Sequence, residues 1–553
     1  MKKKNDNPLV QGSILAVASL ISRVIGLIYK IPLTNILGET GMGYYVTAHE
    51  VYNIVLILSS LSIPLAVSKL ISAKDQTREY KYVNKIFRIS TVLACITGGV
   101  AGLAVFVFAK PIGRFMGYES CAGSLRILGP TIFLVAVLGV LRGLFQGKKN
   151  MVPTAFSQII EQVINAIVSL LCAYLFMSAG KESGPDYELG SKGATMGILF
   201  GALGALFFMF FIYYINRNYF ARKARIDQHT VEDSDIRIFS TIFFTMLPIV
   251  LSQLVFQISG VIDSKMLSSY FIKQGVLDED VRSALAEPYI NKFRQLTNIP
   301  VAIATALSAA IVPTLSGFVA VGNVRKTREK IASGIKFNMI IAIPAAVGMG
   351  VLGPQIITML FGSTISDTAG KLLMCCSVTI VFFAYSTMTN GILQGLGHMN
   401  LPIIHAAISL VIHVGAIWFM LYQMKLDIYS MAIGNASFAF VICVFNWMAI
   451  KRYAGYKQEI LKTFLAPLVG SALMGLSVWL AYKGFYSVFL ALMPQRTAVS
   501  NALAVLISIL IGVFVYFAML LILRTSTESE LKEFPFGTKI ARIAAKLNLL
   551  PRE

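Results

Sequence analysis

Apolar residues fill this chain in long runs, each separated from the next by a short cluster of polar and charged positions. A helix needs about 20 apolar residues to cross the hydrocarbon core of a bilayer. Fourteen runs meet that length, near 13–37, 45–69, 86–109, 126–147, 154–179, 192–215, 238–263, 288–318, 333–353, 371–396, 400–423, 428–450, 463–485 and 498–523. The pattern predicts an all-α polytopic membrane protein of fourteen transmembrane helices.

One motif interrupts the runs twice. Arg142-Gly143-Leu144-Phe145-Gln146-Gly147 is followed by Pro153, and Asn390-Gly391-Ile392-Leu393-Gln394-Gly395 by Pro402, the copies lying 248 residues apart. A second echo pairs Ile63-Pro64-Leu65-Ala66 with Ile299-Pro300-Val301-Ala302. Each pair is six spans apart, which predicts two six-helix pseudo-symmetric lobes plus two extra helices. Six is even, so the lobes share one orientation about an axis along the membrane normal, as in transporters built from parallel repeats. The expected organisation is a first lobe over 1–215 and a basic cytoplasmic linker over 216–237. A second lobe over 238–450, a final helix pair over 451–523 and a cytoplasmic amphipathic tail over 524–553 complete it. Within the tail, Ile540, Ile543, Ala544 and Leu547 recur at helical spacing beside Lys539, Arg542 and Lys546. That spacing suits a helix lying on an anionic leaflet, or a solvated tail.

Composition agrees with the runs. The 553 residues are 56% hydrophobic and 14% charged, with a mean hydropathy of +0.71. A soluble fold could not keep so much apolar surface from water. The formal net charge of +21 does not point to nucleic acid, because the Lys and Arg residues concentrate in alternate loops. Placing both termini in the cytoplasm puts most of them inside. Lys2 to Lys4 precede an apolar run too long for a signal peptide and without a cleavage site, so the first run is expected to remain. The six cysteines have no CxxC spacing and the five histidines no zinc spacing; neither a cofactor nor a metal is expected. The Gly143-to-Lys149 stretch is one residue short of a phosphate-binding loop and lacks its Ser or Thr.

Charge inside the runs is the candidate chemistry. Arg142 is grouped with Lys148 and Lys149 as an inner-loop charge, which leaves Arg23 and Lys30 in the first run. A basic side chain at mid-bilayer costs about 2.5–3.5 kcal/mol on insertion scales, so it normally faces a cavity or a partner. Seven residues put both on one side of a helix, about 10 Å apart along its axis. That arrangement suits a ligand with extended negative charge, such as a diphosphate; the competing reading is snorkelling toward opposite interfaces. Gln158, Glu161, Gln162 and Asn165 make a polar stripe on the fifth run, either a cavity lining or an interhelical seam. Gln253 and Gln257 lie one turn apart on the seventh. Arg294 precedes Pro300 in the eighth and points either inward or outward. His405 and His413, two turns apart, are a proton site or packing residues.

Ser22-Arg23-Val24-Ile25-Gly26, the Ile-Pro-x-Ala-x-Ser run ending in Lys69, and the Arg-Gly-x-x-Gln-Gly motif with Met151-Val152-Pro153 resemble one family. It is the SpoVB and YtgP branch of the MurJ-type lipid II flippases, in the multidrug/oligosaccharidyl-lipid/polysaccharide exporter superfamily. The resemblance implies a cationic central cavity, a groove from the last two helices for a polyprenyl tail, and a role for Arg23 as the essential first-span arginine. Where that family often has a second arginine six residues later, this chain has Tyr29 with Lys30 adjacent. Arg294 precedes its proline by six residues rather than five.

The implied activity is outward translocation of an undecaprenyl-diphosphate-linked oligosaccharide, lipid II foremost, by alternating access. Expected substrate contacts are Arg23, Lys30, Glu161, Gln257 and Arg294. Expected partners are the lipid-linked substrate, membrane lipids and, as candidates, cell-wall synthesis proteins. The membrane potential favours outward movement of an anion by about 2.3 kcal/mol per charge per 100 mV, and a coupling ion is not readable. The implied location is the bacterial cytoplasmic membrane. Rival readings are a flippase for capsule, exopolysaccharide or teichoic acid units, a cation-coupled drug exporter, and a membrane glycosyltransferase. The last usually needs acidic or histidine clusters on substantial outer loops, and the loops here are short.

Overall fold

The computed structural model describes residues 8–58, 63–179, 185–227, 233–362 and 367–523, and among them there is helix but no strand. The Lys2–Lys4 cluster and the amphipathic tail expected from 524 onward lie outside the described residues. The chain packs as two compact units, Met1–Ile290 and Asn291–Glu553.

The first unit holds α1 (Pro8–Leu56), α2 (Ile63–Gln76), α3 (Tyr80–Val107), α4 (Ala109–Met116) and α5 (Ala122–Gly147). It continues with α6 (Val152–Ala179), α7 (Tyr187–Ile226), α8 (Asp235–Lys273) and α9 (Glu279–Glu287). The second holds α10 (Arg294–Ala320), α11 (Val324–Phe361), α12 (Asp367–Cys376), α13 (Val378–Gly395), α14 (Asn400–Tyr422), α15 (Tyr429–Ala454), α16 (Ala466–Leu492) and α17 (Thr497–Ile522). A π-turn, Pro288–Phe293, carries the chain across the boundary.

Among the described residues, eleven helical stretches are long and apolar enough to cross a membrane, or twelve if α12 and α13, bent by 57°, form one span. Fourteen separate spans are therefore not distinguished. The first two expected spans share α1, 49 residues long and broken at Gly38. There φ is 65° and ψ −176°, a backbone shape that glycine adopts without a steric penalty. Expected span seven falls on α8, outside the eleven.

The expected linker at 216–237 is also mostly helix. α7 continues to Ile226, 40 residues or about 60 Å, because Arg217, Ala221, Arg222, Lys223, Ala224 and Arg225 are all good helix formers. Packing puts α8 with the first unit, so the boundary between units falls at Ile290 rather than in that linker.

The ends of the first unit differ in charge. At one, Tyr82 donates to Asp233, Lys85 pairs with Asp235 at 2.9 Å, Arg237 with Asp233 at 2.9 Å and Lys148 with Asp75 at 3.3 Å. At the far end of α8, the acidic start of α9 is bound to α1: Tyr44 donates to Asp280 and Ser283 to the Thr40 carbonyl. In the second unit, α16 and α17 lie against α11. Tyr516 donates to the Ile340 carbonyl at 2.7 Å and Asn501 to that of Gln355 at 3.1 Å. Large side chains such as Phe207, Phe210, Leu510 and Phe514 stay exposed, as lipid-facing surfaces require.

The repeated motif has one packing role in both units. A Cβ on Gly143 would stand 2.9 Å from Val67 Cβ and 3.0 Å from the Pro64 carbonyl, and one on Gly147 2.7 Å from Ile71 Cβ. On Gly391 it would stand 2.0 Å from Ser308 Oγ, and on Gly395 3.0 Å from Leu315. The glycines thus let α5 approach α2, and α13 approach α10, at backbone distance, the small-residue packing of membrane helices. Ser308 lies about two turns beyond Pro300, so the Ile-Pro-x-Ala echo is not the matching contact on the partner helix.

Candidate functional site

The polar stripe of α6 divides between two neighbours. Gln158 accepts from Ser19 at 3.0 Å, Gln162 Oε1 lies 3.5 Å from where a Cβ on Gly26 would stand, and Asn165 donates to Tyr29 at 3.2 Å. These three make the seam between α6 and the first half of α1, the packing alternative of the two the sequence offered. Glu161 turns instead toward α5. It takes Nη2 of Arg142 at 2.7 Å, while Nε of Arg142 donates to Ser157 at 2.9 Å.

Arg142 is therefore not a loop charge. It sits five residues inside α5 with its side chain 13% exposed, against 23% for Glu161. Its place beside Lys148 and Lys149 in sequence concealed this. Only the acid at position 161, on the next run, hinted at a partner.

Arg23 and Lys30 lie on the α1 side that also carries Ser19 and Gly26, flanking the seam. Arg23 is exposed on the surface of its unit and Lys30 is half-buried. Beyond the Gly38 break, α1 returns His49, 3.1 Å from Asn53, with the Tyr52 ring 5.8 Å away. Lys30 lies within electrostatic range of His49, and Glu161 within range of Tyr52. Both halves of α1 thus bring polar groups toward the Arg142–Glu161 pair. Gln257 is exposed on α8 of the same unit, and the Gln253 side chain lies outside the description. Arg294 belongs to the second unit, half-buried at the start of α10 behind the π-turn. Lys292, the other basic residue of the eighth run ahead of Pro300, lies in that turn, fully buried with its Nζ 6.0 Å from the Phe361 ring centre.

A family model described as polysaccharide biosynthesis protein matches residues 9–319, more than half of the chain. The chain belongs to that family. A second model, MatE, matches 291–419. Among relatives, the lipid II flippase MurJ of Bacillus subtilis (strain 168) is 25% identical over 527 residues, covering 92% of this chain and 94% of its own length. Stage V sporulation protein B of the same organism is 21% identical over 428 residues, covering 76% and 79%. A solved structure of lipid II flippase MurJ in an inward closed conformation superposes with a TM-score of 0.63 at 17% identity. It covers 91% of this chain and 97% of that one, and so shares its fold. The SpoVB- and MurJ-like branch suggested by the Ser-Arg-Val-Ile-Gly and Arg-Gly-x-x-Gln-Gly motifs is the one these relatives occupy.

In this polysaccharide biosynthesis protein the second motif copy is built without charge. Asn446, fully buried, donates to Thr389 at 2.9 Å and to Asn390 at 2.8 Å, and its carbonyl oxygen lies 2.7 Å from His405 Nδ1. With both amide hydrogens committed, the Asn446 oxygen must accept, so His405 carries its proton on Nδ1. His413 likewise points Nδ1 at the Gly434 carbonyl, at 2.8 Å. Both histidines are satisfied packing groups of α14 in this arrangement. Among the described residues no group of three or more His, Cys, Asp or Glu is arranged to hold a metal.

Proposed function

We propose that this protein is a flippase for undecaprenyl-diphosphate-linked oligosaccharides, with lipid II as the first candidate substrate. The reading rests above all on one observation. A chain similar to a lipid II flippase over 92% of its length keeps two cations, Arg23 and Lys30, on one side of α1 beside a polar seam. The fold class and family support a transporter that performs no covalent chemistry. In this reading the diphosphate-sugar head enters from the cytoplasm while the lipid tail stays in the bilayer, with α16 and α17 flanking it. Arg23 and Lys30 meet the two phosphates, Gln257 and Arg294 complete the polar lining, and rocking of the two halves releases the head outside. Fourteen crossings, with the first two divided at Gly38, and cytoplasmic termini belong to the same proposal. A second reading, transport of another lipid-linked polysaccharide unit, is favoured by the family description itself. Only the diphosphate common to these substrates is explained by the charges.

Depleting the protein and identifying the lipid-linked precursor that accumulates on the inner leaflet separates the two. The test of the site is headgroup exposure on the outer leaflet. Arg23→Ala abolishes flux with normal insertion, Arg23→Lys retains part of it because the charge survives without the bidentate fork, and Lys30→Ala is milder. Wild-type flux in Arg23→Ala ends the proposal.

A further inference from the structure

The fold does not need the charges of the Arg142–Glu161 pair. Ionic partners held away from water are a weak source of stability compared with neutral or apolar ones, and the chain carries its own comparison. Moving 248 residues along from Arg142, Ser157 and Glu161 gives Asn390, His405 and Ser409. There neutral hydrogen bonds to Asn446 of α15 bridge Asn390 on α13 and His405 on α14, and the motif glycines make the same close approach. An ion pair in one copy and none in the other points to a use beyond packing.

We propose that Arg142–Glu161 is a dissociable lock. Glu161 occupies Arg142 until a proton neutralises the carboxylate, and Arg142 then binds a phosphate oxygen of the lipid-linked headgroup. The inference rests on the diphosphate reading above and adds a third cation and a proton to it. The geometry suits release. Ser157 gives its own hydroxyl hydrogen to the Thr154 carbonyl at 2.7 Å, so its oxygen holds Nε of Arg142 whatever Glu161 does. The guanidinium therefore stays anchored while its Nη2 edge changes partner. With 13% and 23% of the two side chains exposed, the pair is shielded but not sealed. One proton is bound at Glu161 for each phosphate bound at Arg142, and both leave together; Arg142 keeps its charge throughout.

The surroundings of Glu161 leave few other titrating groups. From α5 it faces Arg142. From α1, Tyr52 is in electrostatic range, with His49 packed against Tyr52 and Lys30 in range of His49. The α7 stretch Gly197 to Met209, against which Glu161 packs at Gly201, carries no titratable side chain.

The test is binding of undecaprenyl diphosphate to the full-length protein in phosphatidylcholine nanodiscs, compared between about pH 8 and about pH 5.5. The wild type should tighten by about tenfold relative to Glu161→Gln as pH falls, the worth of one charge-assisted contact. Glu161→Gln should bind tightly at both ends, because the amide keeps the hydrogen bond without competing as a charge. The double variant Arg142→Gln/Glu161→Gln should bind weakly at both ends while melting like the wild type. Glu161→Gln tracking the wild type at every pH, or the double variant binding as tightly as Glu161→Gln, overturns the lock. If Glu161→Gln does not fold, the double variant decides alone: a retained wild-type pH profile overturns it. Absence of binding by the wild type at any pH overturns this inference and the diphosphate reading together, whereas binding indifferent to Glu161 overturns only the inference.

Discussion

The two copies of the Gly-x-x-x-Gly motif solve the same packing problem with opposite electrostatics. In the first, α5 joins α6 through Arg142 and Glu161; in the second, α13 joins α14 and α15 through Asn390, Asn446, Thr389 and His405. The glycines serve the fold, since both copies keep them and both use them against a neighbouring helix. The residue ahead of each first glycine is free to differ, and that is where charge enters one copy alone. The helix contact is thus the same at both copies while the charge is present at one alone.

The largest effect that would break this contrast is a charge placed in the neutral copy. Asn390→Arg sets a guanidinium beside Asn446 with Ser409 where the first copy has Glu161. It is expected to lose about 3–5 kcal/mol, as for an uncompensated buried charge, read as a fall in melting temperature of the purified protein. Adding Ser409→Glu should recover much of that loss. Full stability of Asn390→Arg alone would show that the copies are not equivalent.

The next effect separates the glycines. Gly143→Ala drives a methyl against the Pro64 backbone and Val67 Cβ, which cannot move aside singly, and is expected to cost about 1–3 kcal/mol. Gly391→Ala meets chiefly the Ser308 hydroxyl, which can rotate, and should cost less than about 1 kcal/mol. Equal melting temperatures for the two variants would refute the asymmetry.

The smallest effect is at the basic end of the first unit. The hydrogen bond from Lys85 holds Asp235 below its ordinary value of 3.8, and that from Tyr82 does the same for Asp233. A depressed folded-state value gives stability that is complete above the ordinary carboxylate range and lost as pH falls through the lowered value. Amide protection at the start of α8, taken relative to the intrinsic exchange rate at each pH, should therefore stay constant from neutral pH down to about 4 and fall only below it. The change should be small, since both carboxylates are exposed to solvent screening.

The sequence revealed the helices and the branch of the family because apolar length and glycine spacing are local properties. It marked the close helix contacts at the two motif copies because small residues are needed where backbones touch. It did not reveal the role of Arg142, since a partner 19 residues away on another helix leaves no local trace and Lys148 and Lys149 made a loop seem natural. The stripe on α6 showed its polarity but not its division, because i, i+3, i+4 and i+7 fix a face and not the neighbour that covers it. That helix resumes directly after the Gly38 break, through Glu39 and Thr40, was hidden for a similar reason: a polar cluster beside a glycine reads as a loop. The short amphipathic α4 and α9 fall below the length at which a spanning run is recognised.

The reach of α7 has a practical consequence. A 40-residue helix is about twice as long as the ~30 Å hydrocarbon core is thick, so an upright α7 projects well beyond it. Its C-terminal end is tied down, with Asp227 accepting the Lys81 amide at 2.8 Å. For imaging a 60.4 kDa protein whose mass is mostly within a micelle or nanodisc, that extension is a ready handle. A folded reporter spliced in continuous helical register with Arg225 would ride on a stiff rod and mark the orientation of single particles, without touching Arg23, Lys30 or either motif copy.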